Sequence, residues 1–291
     1  NLIAAGEVIE RAASVVKELV ENSIDAEATK IIITLTDAGQ NEIVVSDNGI
    51  GMDSADARLC VEPHATSKIY NDKDLYRINT LGFRGEALPS IVAVSYFRLK
   101  TSNDGLKGIL YSLKGGTFVS EAVIASPRGT EISVRNLFFN TPARLQNLQS
   151  QSVELSYIVD YVNRIALSCP DIAFLLTNNG QKLLQTYGNN NLLEVISQVY
   201  DNEVAKNMVE IFEANGYFQV EGYISNLNIS RATKNQITII VNGRVIRSNR
   251  IINAIMDAYR EHLVTGRYPI IVLNITVDPA LIDVNIHPAK H

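Results

Sequence analysis

Apolar residues recur at helical spacing between positions 13 and 26, and this pattern predicts an amphipathic helix. At 100° per residue, one half of the helical wheel is formed by Val15, Val16, Leu19, Val20 and Ile24. Glu18, Asn22 and Asp25 fall along one border of that half, whereas Lys17 and Glu21 face outward. A carboxylate and a carboxamide four residues apart suit a metal ion and an attacking water. On this segment alone, an ordinary amphipathic surface helix is the favoured alternative.

Alternating and β-branched runs predict strands along most of the remaining chain. These strands cover residues 30–37, 42–46, 92–101, 108–113, 117–124, 131–136, 173–178, 183–186, 217–224, 236–241, 270–277 and 283–286. Further helices are expected at 2–10, 53–61, 153–167, 192–200 and 248–263, and a short one follows Asn140 or Thr141 as its N-cap. The strands at 30–37 and 42–46 are close enough to form an antiparallel hairpin. In the segment after residue 191, two strand-to-helix crossings suggest a small α/β domain.

Two loops carry glycines where a ligand could approach the backbone. The strand at 42–46 ends in Asp47-Asn48-Gly49-Ile50-Gly51-Met52, although Asp-Asn-Gly also makes simple turns and an isolated Asp often caps one. Gly82 and Gly85 in TLGFRGEAL (80–88) precede a predicted helix start, which favours an anion. A plain glycine-containing connector is the alternative for this second loop. Residues 63–77 read as a mobile loop.

Length and composition limit the class of protein. At 291 residues the chain is long enough for two domains, and YGNNN (187–191) is the best linker candidate, which places the domains at 1–188 and 189–291. Cys60 and Cys169 lack CxxC spacing, so neither a disulfide framework nor a cysteine-rich zinc site is expected. The sequence shows no run of about 18 apolar residues and no signal-peptide pattern. Because it lacks a starting Met, we expect a fragment.

Seven segments carry a resemblance to a known family. They are IAAGEVIER (3–11), SVVKELVENSIDA (14–26), HATSK (64–68), LGFRGEAL (81–88), NLFFNTPAR (136–144), VNGR (241–244) and DVNIHPAK (283–290). Together with DNGIGM (47–52) and RGT (128–130), they resemble the ATP-binding superfamily of DNA gyrase B, the large heat-shock chaperone, histidine kinases and MutL, and within it the mismatch repair branch. Ala12 stands where that family usually has proline, a difference that concerns stability more than chemistry. The resemblance implies the α+β fold class. It implies a two-layer α/β sandwich ATPase domain, followed by a smaller α/β domain resembling domain 2 of ribosomal protein S5.

The resemblance also implies roles for individual residues. Glu18 would be the general base that orients water against the γ-phosphate, and Asn22 would be the Mg²⁺ ligand. Asp25 would position these residues without reacting itself. Asp47 would accept a hydrogen bond from the adenine amino group, with Thr130 helping through water. The remaining nucleotide contacts would come from Gly49, Gly51, Met52, Thr66, Ser67, Lys68, Gly82, Phe83, Arg84, Gly85 and Leu88, several of them in a lid. Lys290, which would otherwise be read as a solvated charge, would sense the γ-phosphate from the second domain.

The charge distribution indicates where the chain could bind nucleic acid. The net charge of −5 argues against a protein coated with basic residues, yet residues 228–267 contain seven Lys or Arg and two acidic residues. We therefore expect the chain to bind single- and double-stranded DNA through the phosphate backbone, without sequence preference. The predicted contacts are Arg231, Lys234, Arg244, Arg247 and Arg250. A solvated helix face is the alternative reading of each arginine.

These expectations combine into a function that the resemblance implies. ATP with Mg²⁺ would order the N-terminal region, two copies would associate, and slow hydrolysis would reset the dimer. The partners would be DNA, the mismatch-recognition protein MutS and a downstream nuclease or helicase, in the bacterial cytoplasm near the nucleoid, with no membrane. The alternatives are an adaptor in which hydrolysis is incidental, and a topoisomerase ATPase subunit, against which VNGR and NTPAR argue. A histidine kinase is disfavoured, because that function would not explain the second domain.

Overall fold

A computed structural model describes residues 9–62 and 86–278 of the chain. They form two compact units, one built from residues up to 162 together with 171–189, the other from 163–170 and from 190 onward. None of the described helices is both long and apolar enough to cross a membrane.

The first unit is built on an eight-stranded sheet in the order β5-β4-β3-β6-β2-β1-β7-β8. The strands are β1 Lys30–Thr36, β2 Glu42–Asp47, β3 Tyr96–Ser102, β4 Lys107–Lys114, β5 Thr117–Ala125, β6 Gly129–Arg135, β7 Ala173–Asn178 and β8 Gln181–Gln185. All neighbours are antiparallel except β1 and β7, which run parallel. The predicted hairpin is confirmed, since Ile31 lies opposite Asp47 and Thr36 opposite Glu42.

The helices of this unit are α1 Ala12–Asp25, α2 Ser54–Leu59, α3 Ala87–Ala93, α4 Pro142–Gln146 and α5 Gln151–Ser168, of which residues 163–168 belong to the second unit. Helix α1 packs on β1 and β2. Its predicted apolar face is confirmed, because Val15, Val16 and Val20 are fully buried. Alternate residues of β1, Ile31, Ile33 and Leu35, are fully buried as well. The core therefore lies between the sheet and its helical layer.

The second unit has a five-stranded sheet in the order β12-β11-β13-β10-β9, in which only β11 and β13 are parallel. Its strands are β9 Met208–Ala214, β10 Phe218–Ser225, β11 Ile237–Val241, β12 Arg244–Ile246 and β13 Ile271–Val277. Its helices are α6 Leu192–Val199, α7 Asn202–Lys206 and α8 Asn249–Tyr259. Its core contains Ile237, Ile239, Ile271 and Leu273, against which Ile251 and Ile255 of α8 pack. The predicted α+β class is confirmed.

Several predicted elements are wrong in detail. The strand predicted at 92–101 begins only at Tyr96, because residues 87–93 form α3, where buried Ile91 and Val92 pack regardless of their β-branching. Helix α7 and strand β9 were not expected; most of β9 is exposed, so it lacks the alternation of a half-buried strand. Helix α8 ends at Tyr259 rather than at 263. The predicted strand at 283–286 and residues 1–8 lie outside the described residues.

Candidate functional site

Three polar residues stand side by side on neighbouring strands of the large sheet. Asp47 of β2 lies opposite Thr130 of β6, and Thr130 lies opposite Thr101 of β3. We call these three residues the polar row. Ile31 and Ile109 flank the row on the next strands and are at most 1% exposed. Since directly opposite residues share one face of a sheet, the polar row lies on the face that carries the core.

Asp47 accepts three hydrogen bonds. Its Oδ1 accepts from the backbone N–H of Gly49 at 2.9 Å and of Thr130 at 3.2 Å, and its Oδ2 accepts from the Ser23 hydroxyl at 2.8 Å. Burial raises the pKa of Asp47, while these hydrogen bonds act in the opposite direction. A carboxylate has about four acceptor positions, so Oδ2 retains one for a further donor.

Ser23 connects the polar row to helix α1. It is 3% exposed, and its hydroxyl lies 3.1 Å from the Leu19 carbonyl as well as near Asp47. Glu18, Asn22 and Asp25 lie partly buried on the same helix. The predicted outward position of Glu21 is wrong: its side chain is 14% exposed and lies 4.0 Å from the Lys17 ammonium, whose side chain is 51% exposed.

The loop after Asp47 runs too close to neighbouring backbone to carry side chains at its glycines. A Cβ on Gly49 would lie 2.5 Å from the Ala26 carbonyl oxygen, and one on Gly51 would lie 1.9 Å from that of Ser102. Gly51 also has φ +66°, a conformation that L residues rarely adopt. The predicted need for glycine at both positions thus has a steric cause within the protein itself.

Asn48 fastens this loop to the connection between α1 and β1. Its Oδ1 accepts from the backbone N–H groups of Thr29 at 3.0 Å and Lys30 at 2.9 Å. Its Nδ2 donates to the Thr29 hydroxyl at 2.9 Å. Next to it, the Ile50 N–H donates to the Ala26 carbonyl at 2.9 Å. The loop is therefore held at its start by hydrogen bonds on both sides of Gly49.

Thr101 holds the far end of the loop. Its hydroxyl oxygen lies 2.9 Å from the Met52 N–H, which donates to it. The same oxygen lies 3.0 Å from the Gly129 carbonyl and 3.0 Å from the Thr130 hydroxyl. The structure therefore brings together Asp47, Gly49, Gly51, Met52 and Thr130 from the sequence-based set.

Other predicted contacts are not part of this cluster. Leu88 lies partly buried in the first turn of α3, a helix that packs against α1. The predicted residues Thr66, Ser67, Lys68, Gly82, Phe83, Arg84, Gly85 and Lys290 lie outside the described residues. Across residues 9–62 and 86–278, no group of three or more His, Cys, Asp and Glu could hold a metal ion.

The five basic residues predicted to contact DNA all belong to the second unit. Arg247 and Arg250 are exposed and flank Ser248, the N-cap of α8, whose side chain accepts from the Ile251 N–H at 3.4 Å. Lys234 is exposed, whereas Arg231 and Arg244 are half-buried. The first turn of α8 contains no acidic residue.

Sequence reasoning missed Ser23, Asn48 and Thr101. The signal for Ser23 was its place on the apolar face of α1, one turn after Leu19. Thr101 follows Phe97 and Leu99 at strand spacing, so a polar residue stood where the alternation required a buried one. Neither signal reveals the partner, because the register of the strands is not visible in the sequence.

Comparisons with known proteins agree with this architecture. A family model for the histidine kinase-, DNA gyrase B- and HSP90-like ATPase matches residues 9–114, and one for the DNA mismatch repair protein, C-terminal domain, matches residues 196–291. The DNA mismatch repair protein MutL of Streptococcus mutans is 50% identical over all 291 residues, which cover 45% of that protein. The chain thus spans slightly less than half the length of the curated relatives it matches.

Solved structures show the same fold. A crystal structure of the N terminal domain of a DNA repair protein superposes with a TM-score of 0.85 at 28% identity, covering 98% of this chain and 89% of that one. The Aquifex aeolicus MutL ATPase domain complexed with ADP gives a TM-score of 0.72 at 26% identity, covering 94% of each chain. Whole-chain similarity in sequence and fold leads to one conclusion: this chain belongs to the MutL family of DNA mismatch repair proteins and carries that family's ATPase domain.

Proposed function

We propose that the chain binds ATP at the polar row and hydrolyses it slowly as part of a mismatch repair switch. The observation that carries this proposal is the cluster around Asp47, a partly buried carboxylate beside two glycines that cannot be replaced without a clash. The open acceptor position on Asp47 Oδ2 suits the exocyclic amino group of adenine. Thr130, next in the row, would support the base through a water molecule.

The catalytic groups would come from α1. Glu18 would act as the general base that orients water against the γ-phosphate, and Asn22, one turn further, would ligate Mg²⁺. A single neutral oxygen fits this ion, because Mg²⁺ keeps several waters and takes phosphate oxygens for the remainder. When bound, Mg²⁺ would neutralise charge on the phosphates. Asp25 would position these groups, and Ser23 fixes the helix that carries them against Asp47.

Glu18→Gln tests the catalytic assignment. A general base contributes roughly 100-fold to 10,000-fold in rate, so we expect phosphate release to fall by at least about 100-fold while ATP binding changes little. The matched control is Glu21→Gln on the same helix, which makes the same chemical change at the residue paired with Lys17 and should leave the rate within about twofold. Unchanged phosphate release in Glu18→Gln with ATP still bound would refute the assignment and favour an adaptor in which hydrolysis is incidental.

Two regions outside the described residues would complete the site. The segment from Thr66 to Lys68 and the residues Gly82 to Gly85 would enclose the triphosphate, and Lys290 would detect the γ-phosphate. Nucleotide would thereby promote association of two copies. A non-hydrolysable ATP analogue should raise the sedimentation coefficient of the protein above its value with ADP. Equal values with both nucleotides would count against a γ-phosphate-dependent dimer.

DNA would bind to the second unit. Arg247 and Arg250 flank the N-terminus of α8, where the helix dipole favours anions and no acidic side chain of the first turn competes. Reversing both to Glu should weaken DNA binding and lower the slope of log affinity against log salt by about 0.9 for each phosphate that the variant no longer neutralises. Lys182→Glu with Lys206→Glu gives the same change in net charge at other exposed positions and should bind more tightly than the arginine variant. Equal affinity of the two variants for DNA would show that DNA does not bind at Arg247 and Arg250.

The cellular role follows from the family. The full-length protein would couple a mismatch-recognition protein of the MutS type to a downstream nuclease or helicase, in the bacterial cytoplasm near the nucleoid. Strand-passage activity in the full-length protein would instead favour the topoisomerase alternative.

A further inference from the structure

Thr101 is the one member of the polar row without a role in the proposed nucleotide site. It is fully buried at the end of β3, between Met52 of the glycine loop and Thr130 of β6. Its hydroxyl oxygen has three partners within 3.0 Å, although a hydroxyl has one proton to donate and two lone pairs to accept with. The number of protons and lone pairs therefore limits the direction of each hydrogen bond.

Two of the three partners have fixed roles. The Met52 N–H can only donate to Thr101, and the Gly129 carbonyl can only accept from it. If Thr101 gives its proton to Gly129, its second lone pair is free to accept the proton of Thr130, and all three hydrogen bonds form. If Thr101 gives its proton to Thr130 instead, the bond to Gly129 is lost and one lone pair of Thr101 stays unused. Because buried polar groups are almost always satisfied, the arrangement with three bonds is favoured.

This arrangement fixes what Thr130 presents to a ligand. Its proton is directed at Thr101, so toward the site Thr130 offers lone pairs only. Asp47, the next residue in the row, is also an acceptor at its open Oδ2 position. The site thus presents two acceptors side by side, which suits a base edge or a bridging water that donates. The carbonyl oxygen of a 6-oxo purine, in the place of the 6-amino group, would meet two acceptors and no donor.

We propose that Thr101 is a positioning residue that sets base specificity by holding the Thr130 hydroxyl as an acceptor, so that the site selects a 6-amino purine over a 6-oxo purine. This inference rests on the proposed nucleotide site. Thr101 acts through Thr130 and makes no contact with the base itself. Without the Thr101 hydroxyl, the Thr130 proton would be free to turn toward the ligand and to donate to an oxygen.

The test compares β,γ-imido analogues of ATP and ITP, which carry an amino or an oxo group at position 6 of the base and differ besides only in the proton that ITP carries on N1. Thr101→Val removes the hydroxyl at nearly constant volume, and Thr101→Ser keeps it. We expect the ratio of ATP-analogue to ITP-analogue affinity, measured by calorimetry, to fall about tenfold in Thr101→Val, the effect of about one hydrogen bond. The ratio in Thr101→Ser should stay within about twofold of wild type. A Thr101→Val protein that binds both analogues more weakly by the same factor would show a merely structural residue and overturn the proposal.

A second variant covers the case in which Thr101→Val does not fold. Thr130→Val leaves Thr101 with its bonds to Met52 and Gly129 intact, and it should lower the same ratio to a similar extent. An unchanged ratio in Thr130→Val would overturn the proposal, because Thr101 acts only through Thr130. A wild-type protein that binds neither analogue would instead refute the proposed nucleotide site itself.

Discussion

Replacing Gly51 by alanine tests the steric account of the glycine loop. The new Cβ would lie 1.9 Å from the Ser102 carbonyl oxygen, whereas real Cβ atoms essentially never come within 3.0 Å of a heavy atom outside their own and adjacent residues. The loop and β3 must therefore separate by at least about 1 Å. That displacement would break the 2.9 Å hydrogen bond from the Met52 N–H to Thr101, which is buried.

Two costs add in this variant. Alanine in the left-handed conformation costs about 1–2 kcal/mol, and a buried group that loses its hydrogen bond costs about 1–3 kcal/mol more. Gly51→Ala should thus lower the free energy of unfolding by about 2–5 kcal/mol. Gly180→Ala is the matched control, since Gly180 has φ +78° but nothing within 4 Å of its Cβ position. It should lose only the conformational cost, about 1–2 kcal/mol.

The measurement is urea unfolding of both variants, followed by circular dichroism because the chain has no tryptophan. The midpoint for Gly51→Ala should lie clearly below that for Gly180→Ala. Gly51→Ala should also weaken ATP binding, since the displaced segment adjoins Met52, while Gly180→Ala should bind normally. Equal stability of the two variants would refute the close-approach argument.

Three further predictions concern single side chains. Burial raises the pKa of Asp47, so the folded state holds that proton more tightly than the unfolded state, and the contribution of Asp47 to stability falls as pH rises from its ordinary pKa through the raised value. Asp47→Asn should therefore melt at or above the wild-type temperature at pH 7, and the gap should narrow toward about pH 4; a gap that widens on acidification would contradict this. Asn48→Ala loses three hydrogen bonds and should unfold at lower urea than Asn48→Asp, which keeps the two from backbone N–H groups; the reverse order would contradict the fastening role. Burial, with a smaller effect from Asp56, raises the pKa of the partly buried Cys60 thiol to about 12, so little thiolate forms at pH 8. A thiol reagent at that pH should therefore label Cys60 far more slowly in the folded than in the unfolded protein, and equal rates would contradict this.

The sequence predicted most of the strands because alternation and β-branched runs are local signals. Residues 30–37 form a β-branched run that predicts a strand without reference to any other segment, and the structure then buries its alternate residues Ile31, Ile33 and Leu35. Helix α3 extends further than the sequence predicts because Val92 and Val94 favour a strand locally, while packing of Ser90, Ile91 and Val92 against the core keeps residues up to 93 helical. Local preference gives way where tertiary burial is larger.

The candidate site could be predicted only in part for a different reason. Asp47 and Thr130 were named through the family resemblance, which assigns roles residue by residue. Thr101 and Ser23 were missed because their contribution depends on which strand lies opposite and which helix turn faces β2. The hydrogen bonds of this site join residues that lie 24 to 83 positions apart in the sequence. Their pairing depends on the order and register of the whole sheet.

The most direct test of the nucleotide site is a calorimetric titration of a non-hydrolysable ATP analogue into wild-type and Asp47→Asn protein. The asparagine keeps Oδ1 for the N–H groups of Gly49 and Thr130, and its Nδ2 can donate to Ser23, whose proton turns to Leu19 3.1 Å away. The fold is therefore preserved, but Nδ2–H then faces the adenine amino group donor to donor. Losing a hydrogen bond to a charged acceptor costs about 1.5–3 kcal/mol, so affinity should fall by about 10-fold to 200-fold with no loss of thermal stability. A folded Asp47→Asn protein that binds the analogue as tightly as wild type would contradict the account.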